Sequence, residues 1–91
     1  MQFEWDPTKD QQNVRKHGVG FVEASTVFED PFSSTVTDPD HSEGEVRFLT
    51  FGLSGEGRAL VVAHTNQDDT IRIISSRPMT RRERQAHESE G

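Results

Sequence analysis

The chain has 91 residues, a formal net charge of −6 and no cysteine. Its length is that of one small domain, residues 1–91, and the missing cysteine excludes disulfides, thiolate metal sites and cysteine nucleophiles. Leu, Ile, Val and Phe supply 20 residues, just above the share below which a charged chain stays disordered.

The core is therefore thin, and a partner is expected to add stability. No apolar run approaches the ~20 residues of a membrane span. Met1-Gln2-Phe3-Glu4-Trp5-Asp6 lacks the basic and apolar regions of a signal peptide, so a cytoplasmic location is expected. The charge is unevenly spread. Glu23, Glu29, Asp30, Asp38, Asp40, Glu43 and Glu45 are followed by no Lys or Arg until Arg47, whereas Arg72, Arg77, Arg81, Arg82 and Arg84 face the single acid Glu83. An acidic chain with this polarity can still carry a local basic patch.

In chain order, Asp6-Pro7 opens a helix, Asp capping free amides and Pro occupying the first turn at no hydrogen-bond cost. It should run to His17, with Gly18 as the left-handed cap. A second helix starts at Gly20-Phe21-Val22-Glu23 and carries Phe21, Ala24, Val27 and Phe28 at helical spacing. Asp30-Pro31 stops it. The period then changes to two. Residues 34–38 read as a weak edge strand and residues 46–53, 59–65 and 71–77 as stronger ones, joined by hairpin loops at 54–57 and 66–70. Pro78 ends the last strand, and Thr80-Arg81-Arg82-Glu83 is a capping box that starts a terminal helix. The expected fold is α+β: two N-terminal helices, an antiparallel four-stranded meander and a C-terminal helix.

If both loops close symmetrically, Leu53 faces Arg58 and Thr65 faces Ile71. Arg47, His64 and Arg72 then form one row across three strands. Leu49, Val62, Ile74, Phe51 and Leu60 share that face, and the helices cover the face of Val61, Ala63, Ile71 and Ile73. A one-residue slip in either hairpin breaks the row. Such a row suits metal-free RNA cleavage. Histidine exchanges protons near neutral pH, and arginine grips phosphate and stabilises a charged phosphorane. An exposed sheet face with solvated side chains fits the same pattern. Lys16 and His17 sit at a helix C-terminus, where the dipole favours cations without any function. His41 reads as solvated, and His87 neighbours Arg84 on the last helix. No metal-ligand spacing and no nucleotide-cofactor motif is present, so no metal and no cofactor is expected.

The ordered series Phe3-Glu4-Trp5-Asp6-Pro7, Asn13-Val14-Arg15-Lys16-His17-Gly18-Val19, Val27-Phe28-Glu29-Asp30-Pro31, Glu45-Val46-Arg47, Gly57-Arg58, Val61-Val62-Ala63-His64-Thr65, Arg72-Ile73-Ile74-Ser75 and Arg81-Arg82-Glu83-Arg84 resembles the BrnT toxins over nearly the whole chain. The resemblance implies a RelE-like fold and an endoribonuclease that suppresses translation. It also implies a cognate BrnA-like antitoxin of ribbon-helix-helix type, through which the complex rather than this chain would bind DNA, and it allows a homodimer. Two positions depart from the family pattern: Asn66-Gln67 stands where relatives carry a basic residue, and His87 where they carry tyrosine. The resulting expectation assigns proton transfer to His64 and phosphate binding to Arg47, Arg72 and Arg77. Lys16, His17, Arg58, Arg81, Arg84 and His87 extend the RNA surface. A partner-holding module without activity is the alternative, and direct DNA binding is disfavoured by the acidity and the absence of a helix-turn-helix pattern.

Overall fold

A computed structural model describes residues 1–41 and 44–90. The His41 side chain, read above as solvated, and Glu43 of the acidic stretch lie outside what is described. Three helices lie against a mixed five-stranded sheet. The elements are β1 (Gln2–Glu4), α1 (Pro7–His17), α2 (Phe21–Thr26), β2 (Ser34–Thr37), β3 (Phe48–Leu53), β4 (Ala59–Gln67), β5 (Thr70–Pro78) and α3 (Arg81–Glu90). A 3-10 turn, Val27–Glu29, continues α2.

The helix ends follow their local chemistry. The Asp6 carboxylate accepts from the Thr8 amide at 2.8 Å, and Gly18 takes φ 71°, its amide returning to the Val14 carbonyl. At the start of α2, Gly20 has no side chain to cap with, so Asp10 of α1 reaches across and accepts from the Phe21 amide at 2.9 Å. In α3 the capping box is closed in both directions: Thr80 N donates to Glu83 Oε1 at 2.8 Å, and Glu83 N donates to Thr80 Oγ1 at 3.1 Å.

The sheet order is β1-β5-β4-β3-β2. The antiparallel meander β2 to β5 matches expectation, whereas β1, parallel to β5, does not. Three residues are too few to show a period of two. β1 is held instead by tertiary contacts: Phe3 pairs with Ile71 and packs on Phe28 with ring centroids 5.4 Å apart, and Gln2 N donates to Asp69 O at 2.9 Å.

Both hairpins close one residue away from the symmetric reading. Ser54 N bonds Arg58 O at 2.8 Å, so the first loop is Gly55-Glu56-Gly57 with Gly57 at φ 81°, and Leu53 faces Ala59. Three-residue loops ending in a left-handed glycine are a favoured hairpin type. In the second hairpin Gln67 faces Thr70, leaving Asp68-Asp69 as a two-residue turn with Asp68 at φ 55°. The consequence is a face reversal. His64 now lies opposite Phe48 and Ile73, while Arg72 lies opposite Thr65. The expected row of Arg47, His64 and Arg72 does not form, because a slip of one residue sends a side chain to the other face.

Helix α3 lies over part of the Val61 face, where Arg77, opposite Val61, pairs with Glu83, whereas α1 and α2 cover the face of Leu60, Val62 and His64, not that of Val61 and Ala63. Val19, Phe21, Ala24 and Val27 pack there against Leu60, Val62, Ile71 and Ile73. Gly52 of β3 permits the close approach of this layer: a Cβ there would stand 3.0 Å from Val27 Cγ1 and from Ser33 Cβ. Beyond β1, the edge of β5 is completed by a side chain. Asn13, buried in α1, accepts from Ser76 N at 3.1 Å and donates to Ser76 O at 2.7 Å and Val19 O at 2.8 Å. Its amide takes the place of a missing strand. A register shift falls beside this clamp, between Ala63 and His64, where His64 faces Ile73 but Ala63 faces Ser75.

Candidate functional site

His64 is 1% exposed. Its ring stacks on Phe48 at 5.7 Å and meets Phe28 edge-on at 4.9 Å. Nδ1 is 2.8 Å from Asn66 Oδ1 and Nε2 is 2.7 Å from Thr50 Oγ1, which in turn lies 2.8 Å from Thr35 Oγ1. With the Asn66 oxygen placed as an acceptor, Nδ1 carries the proton and the neutral ring accepts from Thr50. Burial pushes its pKa below the ordinary 6.5, opposed by the Asn66 bond. The group ties β2, β3 and β4 together beneath the helices.

A lowered histidine pKa means that the unfolded chain binds the proton more tightly, so acid favours unfolding. The same holds for two carboxylates. Arg58 holds Glu23 down to about 2, with Ser54 assisting against burial, and Arg77 holds Glu83 at about 2 with help from the Thr80 amide. Stability should therefore begin to fall as pH drops below 6.5 and fall again between 4.5 and about 2. Urea titrations across pH check this: His64→Phe should remove the first decline and leave the second.

The opposite face carries the cations. Both slips run in the same sense, so continuing the β3–β4 register one residue before Phe48 sets Arg47 beside Thr65 in place of His64, and Thr65 itself faces Arg72. Two strand spacings put the two arginine Cα atoms about 10 Å apart. Thr65 is 5% exposed, lying between the flanking arginine stems. Glu4 extends the row on β1, paired with Arg72 in register and 3.8 Å from its guanidinium, both side chains about half exposed. On the other side Asp38 N donates to Arg47 O at 2.8 Å. Glu45, in the segment before β3 and two residues from Arg47, is exposed.

One row along, Ser75 faces Ala63. That step is about 7 Å along β4. Here α1 and β5 enclose a depression of about 260 Å³ lined by Lys9, Gln12, Asn13, Lys16, His17, Ile74 and Ser75. Lys16 and His17 thus approach the arginine row.

The remaining expected cations lie elsewhere or are already engaged. Arg77 forms a two-point ion pair with Glu83 at 2.7 and 2.9 Å, and its pKa is raised by it. Arg58 clamps Glu23 and the Gly18 carbonyl, with Nε 2.9 Å from the carboxylate. Leu53, at the hairpin end near Arg58, is about 20 Å along β3 from Arg47. Arg84, 3.9 Å from Glu88, and His87 line a cleft of about 280 Å³ with Asp30, Phe32, Leu53, Ala59 and Met79 at that far end. Arg81 and Arg82 are exposed. Among the described residues no group of three His, Asp or Glu is placed to hold a metal ion. Among the same described residues no helix is long and apolar enough to cross a membrane.

Residues 5–83 match the family described as "Ribonuclease toxin, BrnT, of type II toxin-antitoxin system". The chain belongs to the BrnT family. Its fold is similar to the crystal structure of the Brucella abortus ribonuclease toxin BrnT, with a TM-score of 0.64 at 21% identity, over 89% of this chain and 99% of that one. No protein in the curated set matches the chain. As a type II toxin-family member, this BrnT chain has a cognate antitoxin as its implied partner. Sequence reasoning missed Asn13 as the clamp of the β5 edge and Thr65 as the centre of the arginine row. The first was hidden in a helix whose buried position is polar. The second needed the hairpin register.

Proposed function

We propose that this BrnT chain is a metal-independent endoribonuclease of RelE-like architecture that cuts RNA in the cytoplasm and so inhibits translation. A ribbon-helix-helix antitoxin would neutralise it and mediate any contact with DNA. The observation that carries the reading is the Arg47–Thr65–Arg72 row, with Lys16 and His17 one strand row away, on the sheet face that α1 and α2 leave uncovered. Two arginines whose Cα atoms stand about 10 Å apart can reach one phosphate from either side and stabilise the charge that develops when a ribose 2′-oxygen attacks it. Attack also needs a base and an acid. His17 lines the depression beside this row and offers an imidazole as the proton-exchanging group. His64, in the core, acts in this reading as a structural tie, and Arg77 positions α3 through Glu83.

The test is single-turnover RNA cleavage in EDTA. His17→Gln should lower the rate about 10²–10⁴-fold without moving the melting temperature, while His64→Gln should lower stability. Full activity in His17→Gln would remove it from the mechanism. The partner-holding module without activity is favoured by one observation, the Glu4 carboxylate that engages Arg72. It is the conclusion if the wild type cuts neither free RNA nor RNA on ribosomes.

A further inference from the structure

The depression between α1 and β5 is lined mostly by cationic and polar side chains. Lys9, Gln12 and Lys16 fall on a single stripe of α1 at i, i+3 and i+7, and Ser75 of β5 closes the other wall. Two ammonium groups, two amides, an imidazole and a hydroxyl surround it with Ile74, and among the described residues no carboxylate lines it. That is a notable concentration in a chain of net charge −6.

The helix itself accounts for only part of this. Lys16 and His17 lie in the last turn of α1, where the dipole favours cations. Lys9 is the third residue of the helix, where the dipole favours acids. Its charge runs against the local preference, and it stands over the same depression as Lys16. The carboxylate nearest in sequence, Asp10, is turned away to cap α2 through the Phe21 amide. What remains is a site that offers positive charge and several hydrogen-bond donors.

We propose that this depression is a phosphate-binding subsite. Lys9, Gln12, Lys16 and Ser75 hold a backbone phosphodiester of the RNA next to the phosphate gripped by Arg47 and Arg72. The inference rests on the reading of the open face as an RNA site and deepens it. RNA lies along β5, from Arg72 towards Ser75, with His17 beside the path. The chain then binds at least two consecutive phosphates, and the subsite fixes which side of the cleaved bond is held.

The experiment measures binding of 2′-O-methyl oligonucleotides, which lack the attacking hydroxyl, in a series of increasing length. Wild-type protein should show a step in affinity when the strand becomes long enough to reach the depression, with a salt slope steeper by about 0.7. Lys9→Gln/Lys16→Gln should lose both the step and the extra slope. Its melting temperature should stay unchanged, since both lysines are exposed. An equal step in the double variant overturns the subsite. Arg47→Ala/Arg72→Ala reports separately on the underlying reading: it should abolish binding of the shortest strands. Unchanged binding there would bring down the RNA face itself, whatever the lysines do.

Discussion

Asn13→Ala should lower the unfolding free energy by about 3 kcal/mol, one of the largest losses for any single side chain on this scaffold. Three buried backbone groups depend on that amide: Ser76 N–H, Ser76 C=O and Val19 C=O. A buried polar group left without its partner costs about 1–3 kcal/mol, and water entering the vacated space would recover part of the sum. For a domain of this size the melting temperature should fall by roughly 15 °C. Asn13→Asp is the sharper version. Its carboxylate still accepts from Ser76 N–H but faces two carbonyl oxygens where the amide donated. It should be no better than alanine at neutral pH. It should regain stability as the pH falls and the protonated acid donates one bond again, the opposite sign to the wild-type pH response. A melting temperature within a few degrees of wild type in Asn13→Ala would show that the clamp is dispensable.

The same clamp explains part of what the sequence could and could not disclose. Capping is local, so Asp6, Gly18 and the Thr80-Glu83 pair were legible from neighbours within four residues. The positions of β2 to β5 were legible from their period, and Asp30-Pro31 marked the end of the 3-10 turn that continues α2. Register is not local in this sense. Whether the first hairpin turns on three residues or four depends on Ser54 bonding Arg58 and on Gly57 adopting positive φ. Both alternatives satisfy the same turn chemistry. The alternation of apolar residues did not decide either, because the β4 stretch Leu60-Val61-Val62-Ala63 is apolar on both faces, and Val61 is buried as well as Val62. The burial of His64 escaped for a related reason: a histidine satisfied by Asn66 and Thr50 and enclosed by two phenylalanines has no signature in the linear sequence. The two registers that placed Arg47 and Arg72 opposite His64 were each off by one residue, and only because the slips share one sense do the two arginines still align across β4.

Arg47→Ala/Arg72→Ala should reduce RNA cleavage by more than about 10³-fold. Removing one donor that stabilises developing charge typically costs about 10²–10³ in rate, and two groups acting on one phosphate combine without simple additivity. The fold should tolerate the change, since both side chains lie on the face away from the helix-packed core and the Arg72–Glu4 pair is solvent-exposed and worth at most about 1 kcal/mol. Glu4→Gln separates electrostatics from contact. It leaves both arginines in place and removes the carboxylate that competes with RNA for Arg72, so binding should strengthen by up to about fivefold, within the range of an exposed ion pair. The gain should shrink as salt screens the exposed charges. The two variants therefore move RNA binding in opposite directions from the same row of the sheet. Equal melting curves beside unequal binding would assign the effect to charge at the site. If cleavage persists in Arg47→Ala/Arg72→Ala, the phosphate is held somewhere other than between Arg47 and Arg72.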